Sequence, residues 1–173
     1  MKFDLEWRLV YVLIVAGKSA RFANNVQRRL HELVPEEVNP IIFLAEHPDI
    51  FEEARAGVYE KLSRAVQELA KLDLDLSTCG PNDLEAVHGI GPKTSRFFIV
   101  WTRPDERVAV LDRHILKWLA RRGFTVPANT PANVNTYRRI EKAFLGEADR
   151  LKMSPRDLDL KIWGQAATAP NIA

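Results

Sequence analysis

An all-α fold is predicted by three features of this sequence. Apolar residues recur at helical spacing along most of its length, capping residues and glycines punctuate it at helical intervals, and alternating strand patterns are almost absent. The first helix is expected at about residues 5–16, stopped by Gly17. Its stretch from Leu9 to Ala16 is apolar nearly all round, which predicts a central, buried helix. Ser19 suits the N-cap of a second, amphipathic helix through Phe22, Val26 and Leu30. Pro35 begins an irregular stretch, and Asn39-Pro40 then opens a short helix with Ile41, Phe43 and Leu44, closed by Pro48.

Residues 51–72 read as one or two helices, with Tyr59, Leu62, Val66 and Leu69 on one stripe. Pro81-Asn82-Asp83 starts another, carrying Leu84 and Val87 and ending at Gly89; Pro92 opens the next, through Phe97, Phe98 and Trp101. Residues 103–111 form a connector that ends in the apolar run Val108 to Leu111. Asp112 is placed to cap a helix through Ile115, Leu116 and Leu119, ended by Gly123. Two further helices are expected at about 130–152 and 154–167, the last with Ser154 as N-cap and Pro155 in its first position.

The chain of 173 residues fits one domain or two small lobes sharing a cleft, and 46% hydrophobic residues are enough for a core rather than a disordered tail. The run from Leu9 to Ala16 is too short to span a bilayer, and the start Met-Lys-Phe-Asp-Leu-Glu puts acids where a signal peptide needs apolar residues, so a soluble intracellular protein is expected. A single cysteine, Cys79, rules out an internal disulfide framework or a cysteine-held cluster. His31, His47, His88 and His114 lack metal-ligand spacing, and no metal site is expected. The net charge is only +2, but Arg113, Lys117, Arg121 and Arg122 form one basic group and Arg138, Arg139 and Lys142 another. Such groups either track phosphates or are ordinary solvated helix faces; the charge pattern alone leaves both open.

The informative stretch is residues 84–96, Leu-Glu-Ala-Val-His-Gly-Ile-Gly-Pro-Lys-Thr-Ser-Arg. Two helices meet at the tight turn Gly89-Ile90-Gly91, entered from His88. Glycine permits dihedrals and close approaches that a side chain would block, and Ile90 can plug the gap where the helices cross. Backbone N–H groups left at the start of the second helix suit a phosphate oxygen, a contact that positions DNA without reading sequence. A plain helix–glycine–helix turn is the alternative.

These residues resemble the helix-hairpin-helix base-excision DNA glycosylases. Their pattern is a Gly-hydrophobic-Gly turn, a lysine two residues later in lyase-competent members, and, well downstream, an aspartate that opens a helix in a hydrophobic-Asp-x-His setting. Here the two halves are Gly89-Ile90-Gly91-Pro92-Lys93 and Val110-Leu111-Asp112-Arg113-His114-Ile115-Leu116. The chain is similar in particular to the compact second family of 8-oxoguanine DNA glycosylases, best known from archaea. That likeness touches the helical hairpin from Leu9 to Arg21, the segment Asp112 to Leu116, and Leu158-Asp159-Leu160-Lys161-Ile162-Trp163.

The resemblance implies a helix-hairpin-helix glycosylase fold of two small helical lobes flanking a cleft, with a central lobe of about residues 50–123 and a second built from the terminal helices, all within one domain of 1–173. It implies that Lys93 attacks C1′ of a damaged nucleotide, expels the base and forms a Schiff base that permits strand cleavage. A nucleophilic lysine must be neutral part of the time, which partial burial and the positive end of its helix would both favour. Asp112 would stabilise positive charge on the sugar and assist proton transfer, a role compatible with capping its helix. Trp163 would stack the extruded base; a core tryptophan beside Leu160 is the alternative. Lys18 and Ser19 occupy the turn that in relatives reaches toward DNA near the lesion, and His114 is expected to be structural. Damaged double-stranded DNA is the expected partner of a monomer, with a nucleoid-associated place in the cell and no cofactor beyond a monovalent cation that the hairpin could hold.

The sequence departs from the family in three places. His88 stands where many members have proline, the turn Gly17-Lys18-Ser19 lacks the glutamine some relatives insert into the vacated stack, and Trp163 is followed by Gly164-Gln165. The compact family has a tyrosine there and ends in a lysine linked to 8-oxoguanine recognition, whereas this sequence ends Pro170-Asn171-Ile172-Ala173.

Overall fold

Capping side chains set many of the helix boundaries, and they do so close to the positions their chemistry dictates. The computed structural model describes residues 3–72 and 74–168, with side chains to Gly164, and its regular structure is entirely helical among the described residues. The divergent terminus at 169–173 lies outside the described residues. Two compact units divide the chain, Met1–Phe98 and Ile99–Ala173. This partition cuts the chain differently from a central lobe of 50–123 with a lobe of terminal helices. The reason is packing: the first helix lies against its own sequence neighbours, and the last helix against the two before it.

The first unit holds α1 (Asp4–Val15), α2 (Ala20–Leu33), α3 (Pro40–Glu46), α4 (Ile50–Glu53), α5 (Tyr59–Lys71), α6 (Pro81–Glu85) and the start of α7 (Pro92–Thr102). Helix α1 is the buried helix its apolar run predicts, with Trp7, Leu9, Val10, Val12, Leu13 and Ile14 all in the core, and it packs on α2, α3 and α5. Gly17 ends this segment with φ +77, a left-handed conformation that a Cβ disfavours. Ser19 Oγ accepts from Phe22 N at 3.2 Å to cap α2, and Asn39 Oδ1 accepts from Ile41 N at 2.9 Å to cap α3. The stretch 51–72 resolves into α4 and α5, separated by residues 54–58 with positive φ at Arg55, Gly57 and Val58. Leu62, Val66 and Leu69 are buried on α5, but Tyr59 is exposed rather than part of their stripe. It is the first residue of the helix, next to the left-handed Val58, and so lies at the outer end of the buried face.

The second unit contains α8 (Arg113–Arg121), α9 (Val134–Arg150) and α10 (Pro155–Thr168). Its core joins Leu111, Ile115, Leu116 and Leu119 to Tyr137, Ile140 and Phe144 and to Leu158 and Ile162. Helix α9 starts later than its periodicity suggests because Asn133 is its cap, accepting from Thr136 N at 2.9 Å. Ser154 caps α10 as expected, accepting from Asp157 N at 3.0 Å and donating to Asp157 Oδ2 at 2.7 Å. No helix among the described residues is long and apolar enough to cross a membrane.

Candidate active site

The hairpin lies in the first unit. Helix α6 ends at Glu85 and a short turn leads through His88 into Gly89-Ile90-Gly91. Ile90 is buried at 4% exposure, as expected of a plug, and its N–H donates to Val87 O at 3.1 Å. Gly89 has φ +81, so the turn requires glycine there; Gly91 does not have positive φ. The N–H groups of Gly89 and Gly91 make no hydrogen bond among the described residues, which leaves them available to an anion. His88 differs: its N–H donates to Glu68 Oε2 of α5 at 2.6 Å. That bond first, and Arg64 second, hold the Glu68 carboxyl below the usual carboxylate range. His88 therefore ties the hairpin to α5 through its main chain.

Lys93 is the second residue of α7 and is exposed. The partial burial expected of it is absent, because the packed face of the first turn belongs to Pro92, Ser95 and Arg96. Beneath it, a buried polar cluster joins the two hairpin helices. Arg96 pairs through Nη1 with Glu85 Oε1, with side chains only 3% and 9% exposed. Ser95 Oγ lies 3.0 Å from both Glu85 Oε1 and Pro92 O, and accepts from Arg96 Nη1 at 3.1 Å. Buried charges must be paired, so this cluster fixes α7 against α6.

Asp112 and Trp163 lie in the second unit. Asp112 is buried at 7% exposure and caps α8, with Oδ1 accepting from His114 N at 2.8 Å and Ile115 N at 2.9 Å. The connector that delivers it is bonded to α9. Tyr137 Oη donates to Ala109 O at 2.8 Å and accepts from Leu111 N at 2.9 Å, while Glu141 Oε1 accepts from Ala109 N at 2.9 Å. Thr130 Oγ1 donates to Leu111 O at 2.7 Å. The apolar run before Asp112 is thus a main-chain segment whose polar groups are met by side chains.

Trp163 is 49% exposed, and Leu160, at 60%, is more so; the core alternative for this tryptophan does not hold. Its indole lies against the His114 ring, with centroids 4.5 Å apart and planes at 53°. His114 follows the Asp112 cap by two residues and packs against Trp163. One turn earlier on the same face of α10 stands Asp159. Its Oδ1 is buried without a hydrogen-bond partner among the described residues. Burial first, and the Asp112 charge second, push its carboxyl up to about 7. A cleft lined by Trp118, Arg122, Leu151, Leu158, Lys161 and Ile162 includes neither Trp163 nor Asp159.

The remaining expected residues are exposed. Lys18 lies 5.6 Å from the centroid of the Phe22 ring, and Ser19 Oγ accepts the capping bond from Phe22 N. Arg113, Lys117 and Arg121 line an exposed face of α8, whereas Arg122 is bound to Glu147 at 2.6 Å and sits over Trp118. No group of three His, Cys, Asp or Glu side chains that could hold a metal ion occurs among the described residues.

No protein-family model matches the chain. Solved structures do. The 8-oxoguanine DNA glycosylase of Thermotoga maritima superposes with a TM-score of 0.69 at 24% identity, over 94% of this chain and 79% of its own. That of Methanocaldococcus jannaschii gives 0.70 at 19% identity, over 96% and 79%. The chain has their fold. The sequence pattern assigns no role to Tyr137, Glu141, Asp159, Glu85 or Arg96, which the structure places around the candidate site residues. A signal existed for some: Tyr137 and Glu141 share the stripe of Ile140 and Phe144, and Asp159 precedes Trp163 by one turn.

Proposed function

We propose that the chain is a bifunctional DNA glycosylase and abasic-site lyase of base excision repair that removes an oxidised base, 8-oxoguanine first among them. One observation carries this reading. A chain with the fold of two 8-oxoguanine DNA glycosylases presents an exposed lysine two residues beyond a Gly-Ile-Gly turn whose glycine amides are unbonded. The turn would bind a backbone phosphate, and the target nucleotide would leave the stack to lie against Trp163. Lys93 Nζ would then attack C1′. The C1′–N bond to the base breaks as the N–C1′ bond forms, the base leaves with the electron pair, and the proton lost by the amine passes to the leaving base. Asp112 supplies negative charge beside the sugar as it becomes positive, and its rigid mounting keeps that charge in place. Sugar-ring opening gives the Schiff base, which acidifies the C2′ proton and lets the 3′ phosphate leave. The reaction needs no cofactor, and DNA as substrate gives the protein an intracellular, nucleoid-associated setting.

Borohydride trapping tests the reading, on duplexes carrying 8-oxoguanine, an abasic site, oxidised pyrimidines or normal bases only. The wild type is expected to give a covalent adduct on the 8-oxoguanine duplex, and Lys93→Ala none while still binding it. Adduct on the abasic duplex alone would overturn the base assignment and keep the lyase. No adduct on any duplex, from folded protein that binds DNA, would make the chain a non-catalytic hairpin module.

A further inference from the structure

Helix α5 lays one polar face against the hairpin. Lys61, Arg64 and Glu68 stand at i, i+3 and i+7, a single stripe of that helix. Glu68 takes the His88 N–H at 2.6 Å and is paired with Arg64 at 3.0 Å. Lys61 runs its aliphatic arm across the turn itself: a Cβ built on Gly89 would lie 2.7 Å from Lys61 Cε and 3.1 Å from Cγ. The φ of +81 requires glycine here, and any side chain would also have to displace the Lys61 arm.

The charges of the stripe do not cancel. Arg64 neutralises Glu68, while Lys61 makes no ion pair among the described residues. One uncompensated ammonium therefore sits beside the turn whose Gly89 and Gly91 amides have no partner among the described residues. Backbone donors and a full positive charge at one turn are complementary to one kind of group, an anionic phosphate oxygen. Lys61 is better held for this than an ordinary surface lysine, since its arm already rests on Gly89 and has less rotamer freedom to lose.

We propose that Lys61 is a phosphate ligand of the DNA backbone, acting with the Gly89 and Gly91 amides as one site. The inference rests on the DNA-binding reading of the hairpin given above. The neutral Lys61→Met tests it, because methionine keeps most of the aliphatic arm over Gly89 and removes only the charge. Affinity for a fluorescent duplex containing one 8-oxoguanine is measured by anisotropy across about 50 to 200 mM salt, the range in which counterion release dominates. Loss of one phosphate contact makes the log–log salt slope shallower by about 0.9, so Lys61→Met loses ~3.5-fold less affinity than the wild type over that range. Lys61→Arg is expected to restore the wild-type slope. An unchanged slope in Lys61→Met, with salt-dependent binding by the wild type, overturns the role of Lys61 and leaves the hairpin reading standing. A wild type that binds no duplex even at low salt overturns the hairpin reading and this inference with it.

Discussion

Removing one oxygen atom tests whether the mounting of Asp112 is as the structure has it. Tyr137→Phe keeps a fully buried ring in place and deletes only the hydroxyl that donates to Ala109 O and accepts from Leu111 N. No cavity larger than that oxygen results, so the cost is the stranding of a buried N–H and a buried C=O. Each unsatisfied group costs about 1–3 kcal/mol, and the carbonyl, with its second lone pair, lies at the lower end. Their sum is roughly 3 kcal/mol, and for a chain of this length that lowers Tm by roughly 6–12 °C. Thermal unfolding followed by circular dichroism reads this directly. A second effect is kinetic. The freed connector holds Asp112 less firmly, so single-turnover excision well below the new Tm is expected to slow by more than tenfold while duplex affinity changes less than twofold. A Tm within about 2 °C of wild type would refute the burial arithmetic. A lowered Tm with an unchanged excision rate would refute the claim that this connector positions Asp112.

Three further predictions concern the same two sites. Glu85→Ala removes the carboxylate that pairs with the buried Arg96 guanidinium and is expected to destabilise by about 3–5 kcal/mol, whereas Glu85→Leu with Arg96→Met recovers most of that loss in urea unfolding. Trp163→Ala removes a half-exposed ring, so Tm should fall by no more than about 3 °C, while excision of 8-oxoguanine in single-turnover assays drops at least tenfold. Asp159 has its carboxyl raised from 3.8 to about 7, so the folded state holds a proton that the unfolded state has released, and stability falls as pH rises between those values and is flat above about 7. The slope is at most about 1.4 kcal/mol per pH unit, and Asp159→Asn, measured by urea unfolding from pH 4.5 to 8, should abolish it.

Local chemistry explains what the sequence reveals and what it hides. The caps Ser19, Asn39, Asp112 and Ser154 are legible because each acts on amides two or three residues away, and all four cap as expected. The hairpin is legible for the same reason, since its glycines, plug and lysine are contiguous. The connections closing the sites are not. Glu68 reaches His88 across twenty residues and Tyr137 reaches Leu111 across twenty-six, so nothing in either local pattern reveals the partner. The exposure of Lys93 was hidden too, because helical periodicity marks the buried face of α7 without saying how much of its first turn Arg96 and Ser95 occupy. The division into units depends on which helices the termini pack against, which is likewise a long-range fact.

The two proposed catalytic groups are supported in opposite ways, and that asymmetry follows from their charges. A carboxylate that must remain charged beside a developing cation can be buried only if donors meet it, and Asp112 has two main-chain N–H groups and a connector locked by Tyr137, Glu141 and Thr130. The buried acid is therefore prearranged before any substrate arrives, which is where electrostatic stabilisation is most effective. A lysine that must lose its proton would gain from burial, yet Lys93 is exposed and the nearest buried positions hold Arg96 and its partners. Variants that loosen the Asp112 mounting are therefore expected to lower the excision rate, and Lys93→Ala to abolish the covalent step.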